Sequence, residues 1–176
     1  MTQLRFTVLY LFTLLGTGFT GAYAQSPEDE PVFREPFTLK LPVDKSHHYE
    51  ERYDRKIPYI FEKAVYLFYG ESFGIRVSAS GDEITTIHYE KDLTKADVTF
   101  EFKQLERTRN SVLTLLVIEN KLPRRLYLDA LMTLPNRKGV FKTSILPVES
   151  KLQNYESWPH PIVQLVLRNF RFSESQ

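Results

Sequence analysis

The chain has 176 residues, 23 of them basic and 22 acidic, contains no cysteine, and is 42% hydrophobic. Near neutrality without any basic stripe or polybasic run argues against nucleic acid and against anionic membrane surfaces as partners. With no cysteine, the core must hold by packing alone, without disulfides or a thiolate metal site.

Residues Met1 to Ala24 run from Arg5 through the apolar stretch Phe6 to Leu15 to a small-residue ending, Ala22-Tyr23-Ala24. That order is the n-region, h-region and A-x-A site of a secretory signal peptide, with cleavage expected before Gln25. The apolar run is about ten residues long and is broken by Gly16, Gly18 and Gly21, against the roughly twenty that span a bilayer. No other stretch is apolar enough to span, and no cysteine follows to carry a lipid, so a soluble product of about 150 residues is expected. Asn110, Asn120, Asn136, Asn154 and Asn169 all lack a hydroxyl residue two positions on. Absence of both disulfides and sequons fits a bacterial periplasm better than a eukaryotic secretory route.

Residues 25–35 (QSPEDEPVFRE) are acidic, hold two prolines and show no periodicity, which reads as a flexible leader. The folded domain is then expected over 36–176. Asp44 to Lys56 is polar enough for a short surface helix. Lys56 to Tyr69 reads as strand, because Pro58 and the aromatic and β-branched content disfavour helix. Ser80-Gly81-Asp82-Glu83 closes a hairpin between Phe73–Ala79 and Ile84–Glu90. In Lys95 to Gln104, Val98, Phe100 and Phe102 alternate with Thr99, Glu101 and Lys103, the pattern of a half-buried strand. Ser111 to Ile118 and Ile162 to Leu167 are apolar on both parities, as in strands covered on both faces. Leu126, Leu128, Ala130 and Met132 alternate with polar neighbours, and Phe141, Thr143 and Ile145 repeat the pattern. About eight or nine strands at this spacing predict an all-β fold, an antiparallel two-sheet β-sandwich, immunoglobulin-like in outline.

Gly70-Glu71-Ser72-Phe73-Gly74 matches G-x-S-x-G, the turn that presents a nucleophilic serine, and Asp129 and His160 could complete a hydrolase triad. A strand-like run, not a helix, follows Ser72, so a glycine-relieved turn or bulge is the more economical reading. Ser46 to Asp54 places His47 and His48 beside carboxylates, and imidazole with carboxylate suits zinc or copper. Adjacent histidines diverge, so only a helix would put His47 and Glu51 on one face, and further ligands such as His88 or His160 would have to come from elsewhere. Trp158-Pro159-His160-Pro161 holds the only tryptophan beside rigid backbone that cannot join a central ladder. Its indole serves either as a binding anchor or as a plug for the end of the fold. Asn120 and Asp129 flank the turn at Lys121 to Arg125 and read as structural.

The segments Tyr69 to Val77 (YGESFGIRV), TSILPVES from Thr143, and ESWPHPIVQLVLRNFRF from Glu156 resemble those of small exported proteins of Gram-negative bacteria that carry no assigned activity. The resemblance implies a periplasmic location and a β-sandwich, and it transfers no catalytic residue. The expectation is therefore a non-catalytic periplasmic β-sandwich without a cofactor. It would bind a protein or cell-envelope component by an exposed strand edge or through Trp158 to Pro161. The alternatives are a serine hydrolase using Ser72 and a metal-binding protein using His47 and His48.

Overall fold

The computed structural model describes residues 30–44, 46–106 and 112–173. The expected signal segment and residues 25–29 of the acidic leader lie outside the described residues. Among the described residues there is no helix, and no element is long and apolar enough to cross a membrane as one. The strands are β1 (Phe33–Arg34), β2 (Phe37–Pro42), β3 (His48–Tyr53), β4 (Ile57–Pro58), β5 (Ile60–Phe61), β6 (Ala64–Phe68) and β7 (Ser72–Ser80). They continue with β8 (Glu83–Glu90), β9 (Val98–Glu106), β10 (Val112–Asn120), β11 (Tyr127–Thr133), β12 (Phe141–Thr143), β13 (Gln153–Trp158) and β14 (Gln164–Arg171). Every pairing is antiparallel.

Ten strands form one sheet made of two ladders, β12-β11-β14-β6-β5 and β8-β7-β9-β10-β13. The ladders meet edgewise at a single pair, Arg171 on β14 opposite Glu83 on β8. Alternation then decides what lies between them. Val65, Leu67, Leu128, Ala130, Leu165 and Leu167 from the first ladder share one core cluster with Phe73, Ile75, Val98, Phe100, Phe102, Leu116 and Ile118 from the second. A second, smaller cluster of Leu39, Leu41, Phe68 and Val163 seats the β2-β3 hairpin.

Four expectations change. Among the described residues fourteen strands replace eight or nine: β1, β2, β3 and β13 are additional, and Lys56 to Tyr69 is split into β4, β5 and β6, with Glu62 and Lys63 both at positive φ (49° and 61°) in the two-residue β5-β6 turn. The helix expected over Asp44 to Lys56 is strand β3, since pairing with β2 buries the Tyr49 and Tyr53 side of an alternating stretch. Ordered structure starts before Pro36, because β1 pairs with β4 and Arg34 is only 5% exposed. Lastly, β10 is covered on one face only: Val112, Thr114, Leu116 and Ile118 are buried, whereas Leu113, Leu115 and Val117 are half-buried and belong to neither cluster.

Candidate binding face

The Trp158 segment connects the last strand of one ladder to the middle of the other, which is where two prolines without backbone donors do no harm. Trp158 is 8% exposed and joins the main core. Its Nε1 donates to Thr143 Oγ1 at 2.9 Å, tying β13 to β12 of the opposite ladder. Pro159 is exposed, and His160 and Pro161 are half-buried. The His160 carbonyl accepts from the buried Thr114 hydroxyl at 2.7 Å, and its Nδ1 sits 3.2 Å from the Pro161 carbonyl. The indole is thus a plug with its polar atom satisfied, and its surface is spent inside the protein.

Gly70 to Gly74 resolves into separate structural tasks. Gly70 lies in the β6-β7 turn at φ 87°. Gly74 lies within β7, where a Cβ would fall 2.3 Å from the Ala96 Cβ. Ser72 opens β7 as an exposed residue opposite Glu101, so a strand follows it where the nucleophile turn requires a helix. Asp129 is on the other ladder and holds Asn169 (2.7 Å) and Arg171 (3.4 Å), not a histidine.

Glu71, which no sequence pattern singles out, receives the Arg34 guanidinium on both carboxylate oxygens, at 2.7 Å for Oε2, and Oε2 also accepts from the Phe68 amide at 2.8 Å. Arg34 donates further to the Pro58 and Tyr66 carbonyls, and its guanidinium lies 3.8 Å from the Tyr59 ring centre. A buried arginine so fully bonded to a half-buried carboxylate anchors β1 to the β6-β7 turn.

His47 precedes β3 and bonds Asp44 at 2.9 Å; His48 on the outer face of the hairpin lies 3.8 Å from Glu50. Glu51 faces the other way and accepts from the hydroxyls of Tyr49 (2.5 Å) and Tyr53 (2.9 Å). Burial first, then this carboxylate, pushes the Tyr49 hydroxyl pKa up to about 12, and the same two causes raise that of Tyr53. The two histidines and Glu51 do not share a face, and among the described residues no group of three or more His, Asp or Glu side chains is arranged to hold a metal ion.

What remains unspent is the outer face of β9, β10 and β13. The register sets Leu113 beside Leu105, Leu115 between Lys103 and Ser157, and Val117 between Glu101 and Tyr155. These apolar side chains form one stripe ending at Tyr155, which is 62% exposed. Strand β13 is also the terminal strand of its ladder, six residues without proline, lysine or bulge. Its one charged side chain, Glu156, is engaged by the Leu146 amide (2.8 Å) and the Asn154 amide (2.9 Å). Other edges are blunted: β12 has three residues and β5 two, while β8 meets β14 at Glu83, carries His88 and Glu90 further along, and is approached by Lys63, whose Nζ reaches the Ile84 carbonyl. An unpaired edge whose only charged side chain is already hydrogen-bonded, beside an apolar face, is an arrangement that proteins ordinarily avoid unless something pairs with it. The sequence signal is the two-parity apolar run of Ser111 to Ile118, whose second parity forms an outer stripe instead of a second buried face.

No protein-family model, no curated protein and no solved structure matches this chain.

Proposed function

We propose that the chain is an exported, non-catalytic β-sandwich, immunoglobulin-like in outline, that binds a protein or envelope component in the periplasm by strand addition at β13. The single observation behind this reading is the pairing of an open six-residue edge with the Leu113, Leu115, Val117 and Tyr155 stripe beside it. Backbone donors and acceptors on the edge supply affinity, and side chains packing along the stripe supply selectivity. The two-sheet reading draws on the shared core between ladders joined by one edge pair; export draws on the Met1 to Ala24 pattern.

The test is capture of envelope proteins on the immobilised protein, with Leu115→Glu and Tyr155→Lys as variants. Both positions lie outside the core, so thermal midpoints are expected to hold while capture falls by about tenfold or more, as for a lost interface anchor. Capture that is unchanged by either substitution in folded protein would overturn the assignment of this face.

A further inference from the structure

The outer face of the other ladder carries a feature that strand addition does not use. Across β12, β11, β14 and β6 the register aligns Lys142, Leu131, Val166 and Tyr66 in one row, and the next row on the same face pairs Asp129 with Arg168. Asp129 gives its carboxylate to Asn169 and Arg171. Arg168 is left with its Nε buried and without a hydrogen-bond partner, although it is close enough to help hold the Asp129 pKa below the usual carboxylate range, after Asn169 and Arg171. A single buried guanidinium donor without an acceptor is costly, and the rest of this half-buried side chain lines the clefts on either side of it.

Two clefts share this arginine. One, of about 400 Å³, is lined by Lys142, Arg168 and Arg171 against the single acid Asp129. The other, of about 660 Å³, contains Arg168 and Arg171 at one side and runs into the seam between the ladders, where the buried Ile84, Ile87 and Phe170 form its wall. Its rim carries Phe61, 54% exposed, and Val140, 59% exposed. Glu62, Lys63 and Glu83 also line this second cleft. Across the two clefts the four cations Lys63, Lys142, Arg168 and Arg171 face the three acids Asp129, Glu62 and Glu83, so a small excess of positive charge sits beside a groove that reaches core side chains. Volumes of this size are those of small-molecule sites.

We propose that these joined clefts bind an anionic single-chain amphiphile, its carboxylate or phosphate head on Arg168, Arg171 and Lys142 and its alkyl chain in the seam beside Val140 and Phe170. Arg168 supplies a planar pair of donors that either head group accepts. The alkyl chain covers apolar surface that the fold leaves open, which favours a bound chain over a bare inorganic anion.

Titration calorimetry with dodecanoate, dodecyl phosphate, inorganic phosphate and an uncharged dodecyl glycoside, all below their micelle thresholds, tests this on the purified protein. Expected is saturable one-to-one binding of both charged dodecyl probes, with the glycoside and inorganic phosphate at least tenfold weaker. Arg168→Gln is expected to weaken the charged probes at least tenfold with no loss of thermal midpoint, and Val140→Asp to weaken them while sparing the fold. Lys142→Gln, on the edge strand, gives the same readout if Arg168→Gln does not fold. Tighter binding of dodecyl phosphate points to a phosphorylated lipid, and tighter binding of dodecanoate to a free fatty acid. Equal affinity for the uncharged glycoside, undiminished binding by folded Arg168→Gln, or no saturable binding of either charged probe would overturn the proposal.

Discussion

Single side chains in this protein are held by geometry that leaves little room for substitution, and the Gly70 to Gly74 segment ranks its own positions. Gly74→Ala would place a methyl 2.3 Å from the Ala96 methyl, so strand β7 or the segment carrying Ala96 must shift. A cost of about 1–3 kcal/mol is expected, as for other overpacked cores. Gly70→Ala meets open space but has to hold φ 87°, costing about 1 kcal/mol. Ser72→Ala, at an exposed strand end, should be neutral. Urea denaturation of the three variants checks the order, and the pair Gly74→Ala with Ala96→Gly should recover most of the loss; no recovery would mean that the close approach is not the cause. Trp158→Ala removes a core indole and its bond to Thr143, with an expected cost of about 3–5 kcal/mol. Wild-type fluorescence should be blue-shifted. Emission typical of a solvated indole, with an unchanged midpoint in the variant, would return Trp158 to the list of binding residues.

At the scale of elements, the β2-β3 hairpin makes a prediction about pH. Tyr49 and Tyr53 both donate to Glu51, and the Tyr49 pKa stands near 12 against an ordinary 10.0. Between those values the unfolded chain has released protons that the folded hairpin keeps, so the folded state binds more protons and stability falls as pH rises from 10 toward 12. The thermal midpoint should drop over that range, and less steeply in Glu51→Gln, where the charge that helps hold the protons is gone. Equal slopes would show that Glu51 has no part in it. This hairpin also shows where the sequence stopped being legible. Strand β9 and the β7-β8 hairpin were readable because alternation and a Ser-Gly-Asp-Glu turn agreed with each other. In β3 the buried side consists of Tyr49, Glu51 and Tyr53, and a carboxylate between two tyrosines reads as a polar stretch until pairing with Leu39 and Leu41 is known. The β5-β6 turn was hidden for a different reason, since Glu62 and Lys63 stand where positive φ usually selects glycine or asparagine. The proposed binding face was half visible: the extra apolar parity of β10 was plain, but whether a second layer covers it depends on the path of the whole chain. Arg34 with Glu71, and Arg168 beside Asp129, were invisible because each depends on contacts between residues far apart in sequence.

For the molecule as a whole, the distribution of apolar clusters decides the order in which parts come loose. The two ladders touch through one strand pair, yet their inner side chains fill one cluster of twenty buried residues, and the Trp158 to Thr143 bond crosses between them. Neither ladder can separate without exposing that core, so they should unfold together. The β2-β3 hairpin is different: its strands pair only with each other, and it rests on a cluster of four buried residues plus the contacts of Phe37 and Tyr53 with Phe68, whose ring centres lie 5.0–5.2 Å apart. Local opening of such a unit costs less than global unfolding. Hydrogen exchange followed by mass spectrometry should therefore show peptides covering Phe37–Pro42 and His48–Tyr53 exchanging at least tenfold faster than those covering β7, β9 and β10. Phe68→Ala should widen that gap, because it removes the ring on which the hairpin sits while leaving the larger cluster intact. Equal protection of the hairpin and the core strands in the wild-type protein would mean that the small cluster is part of the same cooperative unit, and that the hairpin opens only when everything does.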